Sequence, residues 1–104
     1  MNEYVLRITE SAEKDLYNIT DYISFELRDP SAAWNQIERI QAILYVLHQT
    51  PERYDVVQDP YLAQRGVQKI PIDHYLVFYT VDSLHGIVTI LRVLYGRRDW
   101  EQLV

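Results

Sequence analysis

The spacing of the hydrophobic positions changes twice along this chain of 104 residues. In residues 3–8 the side chains alternate over a short run, which is typical of a β-strand. From about Ser11 to Glu26, and again from Pro30, apolar residues recur every three or four positions, which predicts two amphipathic helices. Three later runs, rich in Val, Ile, Leu, Tyr and Phe, predict strands at residues 67–72, 75–81 and 87–95.

Capping residues indicate where the two predicted helices begin and end. Thr9 or Ser11 can cap the first helix, and acidic residues in its first turn suit the positive end of the helix dipole. Asp29 followed by Pro30 predicts the start of the second helix, because proline lacks the N–H that has no partner there. Pro51 ends that helix. Since about three residues separate the helices, they are expected to form an antiparallel hairpin.

Short connections join the last three predicted strands. Residues 73–74 and 82–86 are hairpin-like links, which make sequential strands antiparallel neighbours. The second and third of these strands are apolar on both faces and are expected to be central. The helix hairpin must bury its apolar faces, and the sheet is the available partner. The sequence therefore predicts a single α+β domain with the order β-αα-βββ, in which an antiparallel sheet of about four strands carries the helix hairpin on one face.

Composition narrows the classes of protein and site. The chain has no cysteine, which excludes disulfides and thiolate metal sites and suits a reducing cytosol. Its three histidines are isolated in sequence, so no metal or other cofactor is expected. The N-terminus does not resemble a signal peptide, and no apolar run approaches the ~18 residues of a membrane span. We therefore expect a cytoplasmic protein without a membrane partner.

The charges are distributed unevenly along an acidic chain of net charge −5. Residues 1–64 carry five basic and eleven acidic side chains, whereas residues 65–98 carry five basic and two acidic ones. Two of the basic residues, Arg97 and Arg98, follow the last predicted strand directly. This pattern favours either a basic face for an anionic partner or chance clustering on a solvated surface.

The order of elements and four stretches of sequence resemble the RelE/ParE superfamily of bacterial toxins. "SAEKDLYNITDYI" is similar to the first helix of that family, and "AWNQIERIQAILYVLHQTPERY" to its second helix and following proline. "RGVQKIPIDHYLVFYTVD" resembles its two middle strands, and "VTILRVLYGRRDW" its last strand and terminus. The likeness extends from about residue 9 to 103, and the order of the motifs is more specific than any one of them.

The resemblance implies the toxin of a type II toxin–antitoxin, or plasmid stabilisation, module. Such a toxin is neutralised by a cognate antitoxin, as a heteromer, and a homodimer is also possible. ParE-like members inhibit DNA gyrase by binding, whereas RelE-like members cut mRNA on the ribosome. Three features favour the ParE-like reading: only two lysines, no tyrosine or histidine after Tyr95, and Tyr75 where nucleases often have arginine. A RelE-like mRNA endonuclease is the alternative, and a degenerate antitoxin-binding protein without a live target is a third.

The resemblance also implies candidate site residues. An RNase without a metal needs a base, an acid and cations for the developing phosphorane charge. If the chain is a nuclease, the catalytic candidates are Lys69, Arg92, Tyr95 and Arg97, with His74 as a further possible base. The candidates for contact with the target are Arg65, Arg92, Arg97, Arg98 and Trp100.

Two groups of residues keep alternative interpretations. Arg92 interrupts an apolar run and shares parity with Ile90 and Leu94, so it lies either in a functional groove or in a salt bridge to an acidic residue. The acidic residues considered for that bridge are Asp82, Asp99 and Glu101.

Tyrosines at the edges of the predicted helical stripes also have two interpretations. If exposed, they favour a protein interface such as an antitoxin groove; otherwise they pack at the margins of the core. These residues are Tyr17, Tyr22 and Tyr45.

Overall fold

The computed structural model describes residues 4–26, 28–49, 60–96 and 104. Its fold is α+β, and the predicted order β-αα-βββ is confirmed. One short helix appears in addition, within the stretch expected to be a loop. The elements are β1 (Val5–Ile8), α1 (Glu10–Asp21), a π-helical segment (Tyr22–Glu26), α2 (Pro30–Gln49), α3 (Pro60–Gln64), β2 (Gln68–Ile72), β3 (Tyr75–Asp82) and β4 (Ile87–Tyr95).

The four strands form one sheet in the order β1-β4-β3-β2. The two predicted hairpins are present, and β3 and β4 are central as expected. The sheet is mixed rather than wholly antiparallel, because β1 runs parallel to β4. The helices and the other two strands separate β1 from β4 in sequence, and such a long connection permits parallel pairing.

Both predicted helix caps are present. The Ala12 N–H donates to Thr9 Oγ1 at 3.1 Å, so Thr9 rather than Ser11 caps α1. The Ala32 N–H donates to Asp29 Oδ1 at 3.0 Å at the start of α2. Each bond gives a partner to an N–H that the helix itself leaves without one.

The last five residues of the predicted first helix, Tyr22–Glu26, wind as a π-helix. At its start the Tyr22 N–H donates to the carbonyl oxygens of both Asn18 and Ile19. The spacing of apolar residues does not distinguish a π-turn from an α-turn over so short a stretch. Segments of this kind are rare and occur frequently at functional sites.

Two apolar clusters pack on opposite faces of the sheet. The larger lies between the helix hairpin and the sheet, as predicted, and includes Ile19, Ile40, Val77 and Ile90. The smaller lies on the other face, where α3 contributes a buried leucine. Its buried members are Leu62, Val67, Phe78 and Leu94. No helix in the described part of the chain is long and apolar enough to cross a membrane.

A β-bulge interrupts the pairing of β4 with β3. Ile90 pairs with Tyr79 and Arg92 pairs with Phe78, which leaves Leu91 as the extra residue on β4. Because a bulge shifts the alternation of side chains by one, Ile90 belongs to the larger cluster and Leu94 to the smaller one. The expectation that Ile90, Arg92 and Leu94 share one face is therefore wrong.

Candidate functional site

A cleft of about 640 Å³ opens between the helix hairpin and the adjoining ends of β3 and β4. Its walls come from α1 and the π-helical segment, from the first half of α2, and from the turn between β2 and β3. The volume is within the range of ligand-binding clefts. We call it the hairpin cleft, and residues from each wall include Asn18, Tyr22, Ala32, Gln36, His74 and Tyr95.

Aromatic rings form the sheet side of the hairpin cleft. Tyr75 and Tyr95 are register partners, and their ring centroids lie 5.9 Å apart in an edge-to-face arrangement. The His74 ring lies 6.4 Å from that of Tyr95. Burial, and then the neighbouring Tyr22 and Tyr95, raise the pKa of the Tyr75 hydroxyl above its usual value of 10.0. Tyr75 therefore stays protonated at neutral pH, as a hydrogen-bond donor or apolar ring.

A buried ion pair lies at the base of the cleft, between α1 and β4. Asp15 Oδ2 accepts from Arg92 Nε at 2.7 Å, and Asp15 Oδ1 accepts from Arg92 Nη2 at 2.8 Å. The Asp15 side chain is 8% exposed and that of Arg92 21%. The hydrogen bond to Asp15 raises the pKa of Arg92 above its usual value. Such a two-point contact fixes the guanidinium plane as well as its position.

Asp15 also binds the backbone of β4. β1 pairs with β4 only as far as Ile90, so the edge of β4 is open beyond that residue. The Thr9 hydroxyl donates to the Leu91 carbonyl at 2.8 Å, and the Val93 N–H donates to Asp15 Oδ2 at 2.9 Å. The start of α1 thus supplies the hydrogen-bond partners that β1 does not.

The partner of Arg92 corrects the sequence-based hypothesis. A salt bridge was expected, but to Asp82, Asp99 or Glu101; Asp82 instead binds His85, and the other two lie outside the described residues. Asp15 was overlooked although the sequence contains a signal for it. It lies three residues after Ala12 and four before Ile19, on the buried stripe of α1, where a carboxylate needs a partner.

A second, more exposed ion pair fixes the α2 wall to the turn between β2 and β3. Arg39 Nε donates to Asp73 Oδ2 at 2.7 Å, and Gln36 Nε2 donates to the same oxygen at 3.1 Å. These two hydrogen bonds, that of Arg39 first, lower the pKa of Asp73. Asp73 has a φ of 55°, a conformation that aspartate tolerates better than most residues. Sequence reasoning missed this site, although Gln36 lies on the buried stripe of α2.

The structure does not bring the four catalytic candidates together within its described part. Tyr95 lies in the hairpin cleft, and Arg92 is bound to Asp15. Lys69 pairs with Phe78 of the smaller cluster, on the face of the sheet opposite to Ile70. The remaining catalytic candidate, Arg97, lies outside the described residues.

The target-contact candidates are also dispersed. Arg65 lies exposed in the turn between α3 and β2, where Gly66 has a φ of 73°. Three others lie outside the described residues, namely Arg97, Arg98 and Trp100. In the described ranges, no group of three or more His, Cys, Asp or Glu side chains could hold a metal ion.

Comparisons with known proteins place this geometry in a family. The family model described as the ParE toxin of type II toxin-antitoxin system, parDE, matches residues 6–100. A search of curated proteins finds no significant match.

Solved structures with the same fold come from bacterial toxin–antitoxin complexes. The chromosomal ParDE system of P. aeruginosa is 21% identical, with a TM-score of 0.73 over 89% of this chain and 96% of that one. The RelBE2 complex of Mycobacterium tuberculosis is 21% identical, with a TM-score of 0.65 over 90% and 99%. The intact E. coli RelBE complex is 17% identical, with a TM-score of 0.62 over 91% and 99%. At these identities the likeness establishes the fold.

Proposed function

The chain belongs to the ParE toxin family of type II toxin–antitoxin systems, and on that premise we propose that it inhibits DNA gyrase by binding and is neutralised by a cognate antitoxin. The family model covers residues 6–100, so the premise concerns nearly the whole chain. Solved relatives from P. aeruginosa, M. tuberculosis and E. coli are toxin–antitoxin pairs, which supports an antitoxin as the partner of this chain.

The observation that carries the choice of a binding mechanism is the position of Arg92. A nuclease would need this guanidinium for the negative charge that develops on the phosphorus. Both oxygens of Asp15 bind it instead, at 2.7 and 2.8 Å. Moving it to a phosphate would leave a carboxylate that is 8% exposed without its cation, which is energetically costly.

The separation of Lys69 from Tyr95 supports the same choice. Lys69 and Tyr95 lie on different faces of the sheet, whereas general acid–base chemistry needs both groups within hydrogen-bond reach of one phosphate. The cleft that holds Tyr95 also has its own arginine, Arg39, in an ion pair with Asp73. A site that works by contact makes no such demand on geometry.

Pulse labelling of DNA and protein synthesis, just after induction of the chain without its antitoxin, tests the proposal. Early loss of DNA synthesis, together with inhibition of supercoiling by purified gyrase, is the expected result. Early loss of protein synthesis would instead indicate the RelE-like mRNA endonuclease. If neither process changes while folded protein accumulates, the chain is an antitoxin-binding protein without a live target.

The basic residues after β4 are proposed as target contacts. Replacing Arg97 and Arg98 together by alanine is expected to weaken gyrase inhibition at least tenfold, if each loses about 1 kcal/mol of charge-assisted contact. Arg7→Ala removes an exposed arginine from the edge strand β1 and is the matched control. Equal inhibition by the double variant and the control would remove these arginines from the target surface.

A further inference from the structure

The hairpin cleft has no uncommitted ionic group on its walls. The two ionic side chains that line it are Asp15, paired with Arg92, and Arg39, paired with Asp73. Between them the lining is apolar and includes Ile19, Ile23 and Val93. A phosphate would find no available cation in such a site, whereas a large apolar side chain would exchange water for apolar contacts.

Exposed aromatic side chains mark the cleft as part of a larger interface. Tyr22 is 54% exposed and Tyr95 41%, and both line the cleft. Phe25, in the same π-helical segment as Tyr22, is 74% exposed. Aromatic residues of this kind are enriched in protein–protein interfaces and often contribute most of the binding energy. The occupant is therefore expected to be a protein segment rather than a small solute.

The helical wall of the cleft is acidic. Residues 10–26, which form α1 and the π-helical segment, contain five carboxylates and one lysine. Asp15 is neutralised by Arg92, and Asp21 and Glu26 are exposed beside the cleft residue Tyr22. A second copy of the chain would bring the same acidic wall against itself, and a nucleic acid would be repelled. Basic side chains on a different protein complement this surface.

From these observations we propose that the hairpin cleft is the docking site of the antitoxin. The docked segment carries a large apolar or aromatic side chain that enters the cleft, flanked by Lys or Arg residues that face α1. The identity of the occupant rests on the proposed function, in which an antitoxin neutralises the chain. The π-helical segment fits this role, because its widened turn presents Tyr22 at the cleft.

The apolar part is tested with two tyrosines on the same helical arm. Tyr22→Ala removes a cleft tyrosine that is 54% exposed, and Tyr17→Ala removes one that is 72% exposed and does not line the cleft. The probe is the purified cognate antitoxin, titrated into each toxin variant by calorimetry. Tyr22→Ala is expected to raise the dissociation constant about 10- to 100-fold, and Tyr17→Ala less than about threefold. Circular dichroism confirms that both variants are folded.

The electrostatic part is tested with two substitutions of equal charge change. Asp21→Lys reverses a charge at the end of α1, where a lysine also suits the helix dipole, and Glu38→Lys reverses one on the exposed surface of α2. Asp21→Lys is expected to weaken antitoxin binding about tenfold at low salt, and the effect should shrink as salt is added. Equal effects of the two variants would overturn the local contact between basic residues and α1.

The design separates the docking site from the proposed function. Growth arrest without antitoxin reports the toxin activity, and the dissociation constant reports the docking site. If the wild-type chain arrests growth while Tyr22→Ala binds antitoxin with wild-type affinity, the docking inference alone fails. If the wild-type chain arrests nothing but Tyr22→Ala loses antitoxin affinity, the inference stands without the gyrase proposal. Conversion of a dimer into a monomer by Tyr22→Ala, seen by light scattering, would assign the cleft to a second copy and overturn the inference.

Discussion

Two arginine–aspartate pairs frame the hairpin cleft, and they share the same contact distance but not the same surroundings. In each, an arginine Nε lies 2.7 Å from a carboxylate oxygen. Arg92 and Asp15 are 21% and 8% exposed, whereas Arg39 and Asp73 are 55% and 38% exposed. Distance alone would rank the pairs equally. Burial separates them, because losing one partner strands a charge only where water cannot reach it.

The largest difference is expected when Asp15 is replaced by alanine. This change leaves the Arg92 guanidinium and the Val93 N–H without the carboxylate, so it should lower the free energy of unfolding by about 3–5 kcal/mol. Urea unfolding measures the loss. Asp21→Ala removes an exposed aspartate from the same helix and is the control. If the two variants lose similar stability, the buried pair has no special weight.

Replacing both members of the buried pair sharpens the comparison. With Asp15→Leu and Arg92→Met combined, no charge remains to be buried alone, and only the Val93 N–H lacks its acceptor, at a cost of about 1–3 kcal/mol. The double variant should therefore be more stable than Asp15→Ala. A double variant as unstable as the single one would show that packing, rather than the stranded charge, dominates. The same logic makes Arg92→Ala a poor probe of target contact, because it perturbs the fold.

The exposed pair is expected to give a small effect. Arg39→Ala should change the free energy of unfolding by less than about 1 kcal/mol, since solvent screens the pair and can hydrate Asp73. Chemical unfolding alongside Asp15→Ala gives the ratio of the two effects directly. A loss for Arg39→Ala that equals the loss for Asp15→Ala would break the distinction by burial.

The smallest effect is a dependence on acid. Arg39 and Gln36 lower the pKa of Asp73 below its usual value of 3.8. A lowered folded-state pKa means that the stabilisation is fully present above the unfolded-state pKa and is lost as pH falls through the lower folded-state value. The stability difference between wild type and Asp73→Asn should therefore shrink between pH 7 and pH 2, measured by urea midpoints. A difference that grows in acid would contradict the direction of the shift.

The fold was largely predictable because its signals are local. Thr9, Asp29 and Pro30 fix where the helices begin, and the two short links of the C-terminal strands fix their antiparallel order. The parallel pairing of β1 with β4 was not predictable in this way, because strand patterns carry no record of direction. The π-helical segment was missed for a similar reason, since one changed hydrogen bond leaves the apolar stripe intact.

The site was less predictable because it depends on contacts between distant parts of the chain. Tyr95 and His74 were candidates and lie together in the cleft, but their proximity follows from the pairing of β3 with β4. The bulge at Leu91 changed the direction inferred for Arg92. Asp15 and Gln36 were recognisable in principle, as polar residues on buried helical stripes. Such positions are where a sequence reading should search for a distant partner.

The place of β4 in the sheet has a consequence for the time at which the fold can form. β4 lies between β1 and β3, and the contact between Thr9 and Leu91 joins residues 82 positions apart. Because β1 has no other neighbour in the sheet, it stays without its strand partner until residues 87–95 leave the ribosome during synthesis. Long-range contacts of this kind slow folding. The interval before the sheet closes is a period in which a nascent chain has both helices of the hairpin cleft but not the strand that completes it.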